Sequence, residues 1–165
     1  MSLPEWLPVI GWTIPAVGWY VANKQANERE LRKEVRSEVE EVVELVGNIL
    51  DSLKLYLALG GGDEDAIKLQ LEIAHLFKRL DTLVDVLDTR QMRGIDDFLP
   101  VKLLDLEEVK RLQTRFFDAC TGDDFGELDK VKLTGRELAS AWLRCSNLGH
   151  QFLDKLHRQY IARFS

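Results

Sequence analysis

Two histidines and a carboxylate stand at helical spacing near the end of the chain. His150, Asp154 and His157 occupy positions i, i+4 and i+7, so a continuous helix places them on one face. Imidazole and carboxylate groups bind metals, transfer protons and respond to pH near neutrality. Two histidines with one carboxylate are an incomplete metal site, so we expect no metal. We interpret these residues as a solvated face, or as a face that contacts another subunit or a partner.

A second pattern overlaps the first. In the segment RCSNLGH, Arg144 is followed by His150, which resembles the arginine–histidine pattern of the HEPN helical nucleases. In that family the arginine and histidine of two protomers meet at a dimer interface and cleave RNA. On a regular helix the two positions lie about 120° apart, so one protomer presents both only if Gly149 distorts the helix. Cys145 stands where the family usually has a polar residue. We therefore expect a structural version of the motif, with Arg144 and His150 as the only catalytic candidates.

Motifs of other enzyme classes are absent from the sequence. It has no phosphate-binding glycine loop, no nucleophile elbow, no zinc-protease motif and no CxxC pair. The acidic segment 123–129 lacks the spacing of a calcium loop. Cys120 and Cys145 are too few for a disulfide scaffold and fit the core of a protein in a reducing compartment. We therefore expect no cofactor and favour a protein that is not an enzyme.

Composition narrows the class further. The chain has 165 residues, of which 45% are hydrophobic and 30% charged, so it is long enough for one folded core and not compositionally disordered. The net charge is −6, which argues against a generally basic surface that binds nucleic acid. We expect no direct nucleic-acid partner.

The first residues form an uncharged aromatic segment. From Trp6 to Ala22 (the leader) the sequence reads WLPVIGWTIPAVGWYVA, which spans roughly 26 Å as a helix, near the lower limit for a bilayer core. Trp6 and Trp19 at its ends match the aromatic belts of spanning helices. The leader lacks the charge and cleavage pattern of a signal peptide. We predict a retained membrane anchor over residues 1–22, the alternative being a buried N-terminal hairpin.

Charge predicts the orientation of this anchor. No basic residue precedes the leader, whereas five follow it closely, so the positive-inside rule places the N-terminus outside and residues 23–165 in the cytoplasm. Pro15 removes a helix hydrogen bond, and Gly11 and Gly18 allow close helix approach, so packing against copies of the same segment is favoured. The predicted anchor and pore residues are Trp6, Gly11, Trp12, Pro15, Gly18 and Trp19.

Heptad spacing dominates the next part of the chain. Two apolar series with alternating steps of four and three residues predict a long helix, a turn at Gly60–Gly62 and a second helix, paired as an antiparallel hairpin. The first seam is Val35, Val39, Val42, Val46, Ile49, Leu53 and Tyr56, widened by Val43, Leu50 and Leu57. The second seam is Leu69, Ile73, Leu76, Leu80, Leu83 and Leu87.

Capping patterns mark two further helices. Asp105 with Glu108 predicts the start of a third helix, which Thr121–Gly122 ends. Thr134 with Glu137 predicts the start of a fourth helix, which runs to Phe164. No segment predicts a strand. The predicted fold class is all-α: one short N-terminal transmembrane helix, followed by a four-helix, HEPN-like bundle over residues 23–165.

The architecture as a whole resembles a known family. A short N-terminal span, a charged helix leading into a heptad hairpin, the TGDDF turn at 121–125 and the RCSNLGH segment are similar to the membrane accessory protein of type VI-B CRISPR systems. That resemblance implies a homo-oligomer that forms a pore in the bacterial inner membrane in antiviral defence, with an RNA-guided nuclease as a partner. It also implies that Arg144 and His150 hold the assembly or its gate together. The alternatives are a membrane-tethered HEPN-like ribonuclease and a non-catalytic coiled-coil adaptor.

Overall fold

The computed structural model describes residues 7–93, 100–122, 125–127 and 131–164. Nearly all of this part is helical, which confirms the predicted all-α class. The chain divides into two compact units, residues 1–37 and 38–165. The elements are α1 (Leu7–Leu57), α2 (Glu64–Thr89), β1 (Gln91–Arg93), β2 (Pro100–Lys102), α3 (Glu107–Thr121) and α4 (Gly135–Phe164).

Helix α1 contains most of the leader. It begins at Leu7 and continues without a break to Leu57, so the leader and the charged segment after it form one helix. This continuity follows from the strong helix formers and the absence of breakers between residues 23 and 46. Trp6 lies outside the described residues. No helix in the described ranges has the length and hydropathy of a membrane-span candidate.

In the second unit, α1 and α2 form the predicted antiparallel hairpin. The Ser52 hydroxyl donates to a Glu72 carboxylate oxygen at 3.3 Å, and the Arg79 guanidinium pairs with Glu41 at 3.1 Å. Later positions of α1 thus meet earlier positions of α2, as antiparallel packing requires. The turn between them ends at Asp63, whose carboxylate accepts from the Asp65 amide at 3.0 Å and caps α2 as predicted.

The apolar seam of α1 is buried as the spacing predicts. All seven of its residues are buried: Val35, Val39, Val42, Val46, Ile49, Leu53 and Tyr56. The prediction of the wider stripe is wrong at Val43, which is exposed, whereas Leu45 on the other flank of the seam is buried. The covered arc of the helix is therefore shifted towards Leu45, because the neighbouring helices lie on that side.

A short strand pair follows α2, where no strand was expected. β1 and β2 pair antiparallel, with Gln91 opposite Lys102 and Arg93 opposite Pro100. Each strand has only three residues, which is too short to show an alternating apolar pattern in the sequence. Pro100 is the first residue of β2, where a proline without an N–H is tolerated. The pair joins α2 to α3 and leaves the all-α class unchanged.

Helices α3 and α4 pack closely together. Phe116 of α3 is fully buried, and its ring lies beside Gly149 of α4, where a Cβ would be only 3.2 Å from Phe116 Cε2 and from Val46 Cγ1. A side chain at this position would make its neighbours shift by a few tenths of an ångström, so the glycine favours this close approach. α3 ends at Thr121 with Gly122 as its C-cap, and α4 runs to Phe164, both as predicted.

Ion pairs fix the start of α3 against the end of α2. The Lys110 ammonium lies 2.8 Å from an Asp85 oxygen and 3.0 Å from an Asp88 oxygen, and Lys102 lies 3.2 Å from Asp88. The hydrogen bond from Lys110 lowers the pKa of Asp88 below its usual value, although partial burial opposes the shift. Glu108, the predicted capping partner, instead pairs with Lys155 of α4, so that part of the prediction is wrong.

Candidate functional site

Helix α4 carries the residues that the sequence singled out for chemistry. His150, Asp154 and His157 are all exposed, on the side opposite the buried Phe152 and Leu156. They share one face because the helix is regular over its 30 residues. This placement agrees with a solvated or contact face and keeps the three side chains out of the core.

The His150 ring is held by its own helix. Its Nδ1 lies 2.7 Å from the Ser146 carbonyl oxygen and 3.3 Å from the Ser146 hydroxyl. A carbonyl oxygen only accepts, so Nδ1 carries the proton and donates it. Nε2, at the other side of the ring, points away from this contact. His150 is thus oriented for a hydrogen bond to a group outside its own helix turn.

Asp154 and His157 do not form an acid–base pair in the structure. Asp154 Oδ2 accepts from Arg158 Nε at 2.9 Å, and the His157 ring lies near the Tyr160 ring, with centroids 6.4 Å apart. Over the ranges that the structure describes, no group of three or more potential ligands is arranged for a metal ion. The residues of this face therefore act, in one protomer, as separate polar groups.

Arg144 lies on a different side of α4 from His150. It lines a cavity of about 310 Å³ together with Cys120 and Cys145, and His150 is not part of that lining. α4 passes through Gly149 without a break, and Gly149 is buried against Phe116 rather than kinking the helix. One protomer therefore does not bring the HEPN-like candidates together. Their meeting across two protomers stays a prediction.

The cavity also contains a thiol pair that the sequence placed only in the core. Cys120 and Cys145 are both buried and free, and both line this cavity. The Cys145 thiol also lies 3.1 Å from the Ala119 carbonyl oxygen. The sequence indicated only that both residues face inward. It could not indicate that they lie together, because 25 positions separate them along the chain.

The described end of the leader is open to solvent. Trp19 is 70% exposed, Tyr20 and Val21 are also exposed, and a Cβ added at Gly18 would meet nothing within 4 Å. Gly11, Trp12 and Pro15 lie in helical backbone. The five basic residues that follow are exposed too: Lys24, Arg29, Arg32, Lys33 and Arg36. An apolar aromatic surface thus precedes a basic one.

No family model, curated protein or solved structure matches this chain.

Proposed function

We propose that this chain is a membrane-attached, self-associating helical protein whose clustered leaders permeabilise the bacterial inner membrane. The observation that carries the proposal is the uncharged start of α1, where the Trp19 side chain is 70% exposed. The N-terminus lies outside and residues 23–165 lie in the cytoplasm. The resemblance to type VI-B CRISPR accessory proteins supplies the setting, antiviral defence with an RNA-guided nuclease as trigger.

Exposed aromatic side chains suit a membrane interface. Tryptophan and tyrosine concentrate at the headgroup level, where the ring is partly desolvated and its polar atom stays wet. Trp19 and Tyr20 come just before the basic residues of α1 in the sequence, and those basic residues attract anionic lipid headgroups. A single leader is short and contains Pro15, whose ring leaves the Gly11 carbonyl without its helix partner. In a cluster of leaders, carbonyl oxygens without a helix donor would accept hydrogen bonds from neighbouring leaders or from water. This requirement favours a cluster with water in its interior.

Placing a charge in the leader tests membrane attachment. We expect Ile14→Arg to move the full chain from the liposome pellet to the supernatant and to abolish dye release. The reason is that an arginine in mid-span costs about 3 kcal/mol. Vesicles of phosphatidylethanolamine and phosphatidylglycerol, sedimentation and fluorescent-dye release are the measurements.

The matched control is Leu71→Arg, which adds the same charge at an exposed apolar position of α2. It should leave sedimentation and dye release as in the unmodified chain. Equal membrane binding and leakage by the Ile14→Arg variant would contradict the proposal. So would an unmodified chain that stays in the supernatant.

The exposed face of α4 offers a contact for a second copy. Leu143 and Ile161 are 52% and 45% exposed, and at about 100° per residue they lie within roughly 20° of His150 and Asp154 on the helix. Each end of this face (the α4 face: Leu143, His150, Asp154, His157 and Ile161) is therefore apolar, and its middle is polar. An apolar and polar mixture of this kind is typical of contact surfaces between subunits.

The order of residues on the α4 face is self-complementary. If a second α4 packs antiparallel about a two-fold axis at residue 152, Leu143 meets Ile161 of the other copy and His150 meets Asp154, each pair occurring twice. When Nε2 of His150 also carries a proton, it would then donate to an Asp154 carboxylate oxygen of the other copy, and apolar side chains would cover each other. We therefore propose this antiparallel α4 pairing as one contact of the assembly.

A charge exchange tests that contact. We expect His150→Asp to lower the fraction of assembled protein about tenfold in detergent, because two carboxylates would then face each other at both symmetric positions. The double variant His150→Asp with Asp154→Lys should restore assembly, because it places opposite charges at the same positions. Light scattering after size-exclusion chromatography gives the mass. Failure of the double variant to regain mass, or no loss in the single variant, would refute the antiparallel pairing.

A further inference from the structure

Two cysteines from different helices line one cavity in the second unit. Cys120 lies one residue before the end of α3 and Cys145 lies in α4, and both open onto a space of about 310 Å³. A water molecule occupies about 30 Å³ of liquid, so the space exceeds a hydroperoxide group several-fold. The small residues Ala119, Gly122 and Ala141 form part of the wall beside the thiols. The thiols are therefore buried against protein on one side and face open volume on the other.

The surroundings of the two sulfurs differ in a chemically useful way. The Cys145 thiol donates to the carbonyl oxygen of Ala119, the residue before Cys120, at 3.1 Å, and Arg144 lines the same cavity as both thiols. The hydrogen bond from Cys120, helped by Arg144, lowers the pKa of Cys145, although burial opposes this. The pKa of Cys120 is raised well above its usual range by the neighbouring Cys145 sulfur and by burial. When Cys145 ionises, its sulfur no longer donates to the Ala119 carbonyl oxygen. The pair thus loses one proton and holds the second.

We propose that Cys145 and Cys120 form a redox site, in which a hydroperoxide oxidises Cys145 and Cys120 then closes a disulfide between α4 and α3. Neither the membrane proposal nor the α4 pairing is needed for this reaction. The substrate class is hydrogen peroxide or a small organic hydroperoxide, and a cellular dithiol reverses the reaction.

The chemistry balances with these reactants. The Cys145 thiolate attacks one peroxide oxygen, an S–O bond forms, the O–O bond breaks, and the leaving oxygen takes a proton and departs as water or alcohol. Cys145 loses two electrons to the peroxide and becomes a sulfenic acid. The Cys120 sulfur then attacks Cys145, an S–S bond forms, the S–O bond breaks, and water leaves with the Cys120 proton.

The positions of the sulfurs suit the second step. Cys145 Sγ lies 3.1 Å from the carbonyl oxygen of Ala119, which is bonded to Cys120, and a disulfide requires the two sulfurs to approach to about 2 Å. Cys120 is next to the last residue of α3, and Gly122 follows as the C-cap, so the end of one helix turn has to move rather than a helix interior. Arg144 stays beside the reacting sulfur and stabilises its negative charge.

Intact-mass measurement tests the proposal on the full chain. After treatment of the reduced protein with hydrogen peroxide alone, we expect a loss of two hydrogen atoms and of both alkylatable thiols, with recovery after dithiothreitol. In the Cys120→Ser variant the reaction should stop at a sulfenic acid on Cys145 that dimedone traps. In the Cys145→Ser variant, Cys120 should give no dimedone adduct under the same conditions.

Arg144→Gln separates a reactive pair from a passive one. We expect the rate constant for the reaction with peroxide to fall about tenfold. Loss of the Arg144 cation raises the pKa of the Cys145 thiol, and the thiolate fraction falls about tenfold for each pKa unit. Arg136→Gln, at an exposed arginine of the same helix, should react at the unmodified rate. An unmodified protein that keeps both thiols and its mass under peroxide would overturn the proposal, and this measurement does not depend on how any variant folds. Equal rates in the two arginine variants would overturn the assignment of Arg144.

Discussion

Replacing Phe116 with alanine is expected to lower the free energy of unfolding by about 3–5 kcal/mol. The Phe116 side chain is fully buried, its ring centroid is 5.3 Å from that of Phe77 in α2, and it also lies against Gly149 of α4. Removal of the ring leaves a cavity where these helices meet, and rigid helix backbones close such a cavity only in part. Urea titration of the full chain in one detergent, followed by far-ultraviolet circular dichroism, measures the change.

Phe117 provides the matched control. Its side chain is 43% exposed, and its ring meets Phe77 edge-on at 5.1 Å. Phe117→Ala therefore removes the same atoms and one aromatic pair but leaves no enclosed cavity, so a loss of about 1 kcal/mol is expected. Equal losses for the two neighbours would mean that Phe116 is not at the centre of the core.

Replacing Gly149 with leucine is expected to destabilise the fold by about 3 kcal/mol. A Cβ at this position would already lie 3.2 Å from Phe116 Cε2 and from Val46 Cγ1, so the remaining atoms of a leucine have no room. Helix α4 would have to move away from α3 and α1, and the packing of Phe116 would be lost with it. The same urea titration measures this change.

Gly47 of α1 is the control for this substitution. It is exposed, and a Cβ there would meet nothing within 4 Å. Gly47→Leu should therefore stabilise the chain by up to about 1 kcal/mol, through the higher helix propensity of leucine alone. If Gly149→Leu also raised the urea midpoint, the close approach of α4 to its neighbours would be wrong.

Several elements follow directly from local sequence patterns. The α1 seam is buried at all seven predicted positions, the glycine turn produces an antiparallel hairpin, and Asp63 caps α2. These features depend on residues that are neighbours along the chain, where period and capping chemistry act at short range. The exposure of His150 and Asp154 could be predicted for the same reason, because a regular helix fixes which side chains share a face.

Other features escaped prediction because they depend on partners far away in sequence. Which flank of α1 is covered, at Leu45 rather than Val43, is decided by the helices that pack on it. Glu108 pairs with Lys155 of α4, and α3 begins with Leu106 as its N-cap rather than with Asp105. The two three-residue strands form because they pair with each other, and the sequence of one strand alone does not indicate this pairing.

The sequence by itself determined the helices of this protein, their pairing in the hairpin, and the uncharged aromatic segment from Trp6 to Ala22. Only the tertiary structure decided which side chains meet: it brought Cys120, Cys145 and Arg144 to one cavity and kept Arg144 apart from His150. The physical reason is that the spacing of apolar residues fixes the buried face of each helix. The contact between two such faces depends instead on how closely the helices approach, and here a buried glycine, Gly149, allows α4 to lie against Phe116.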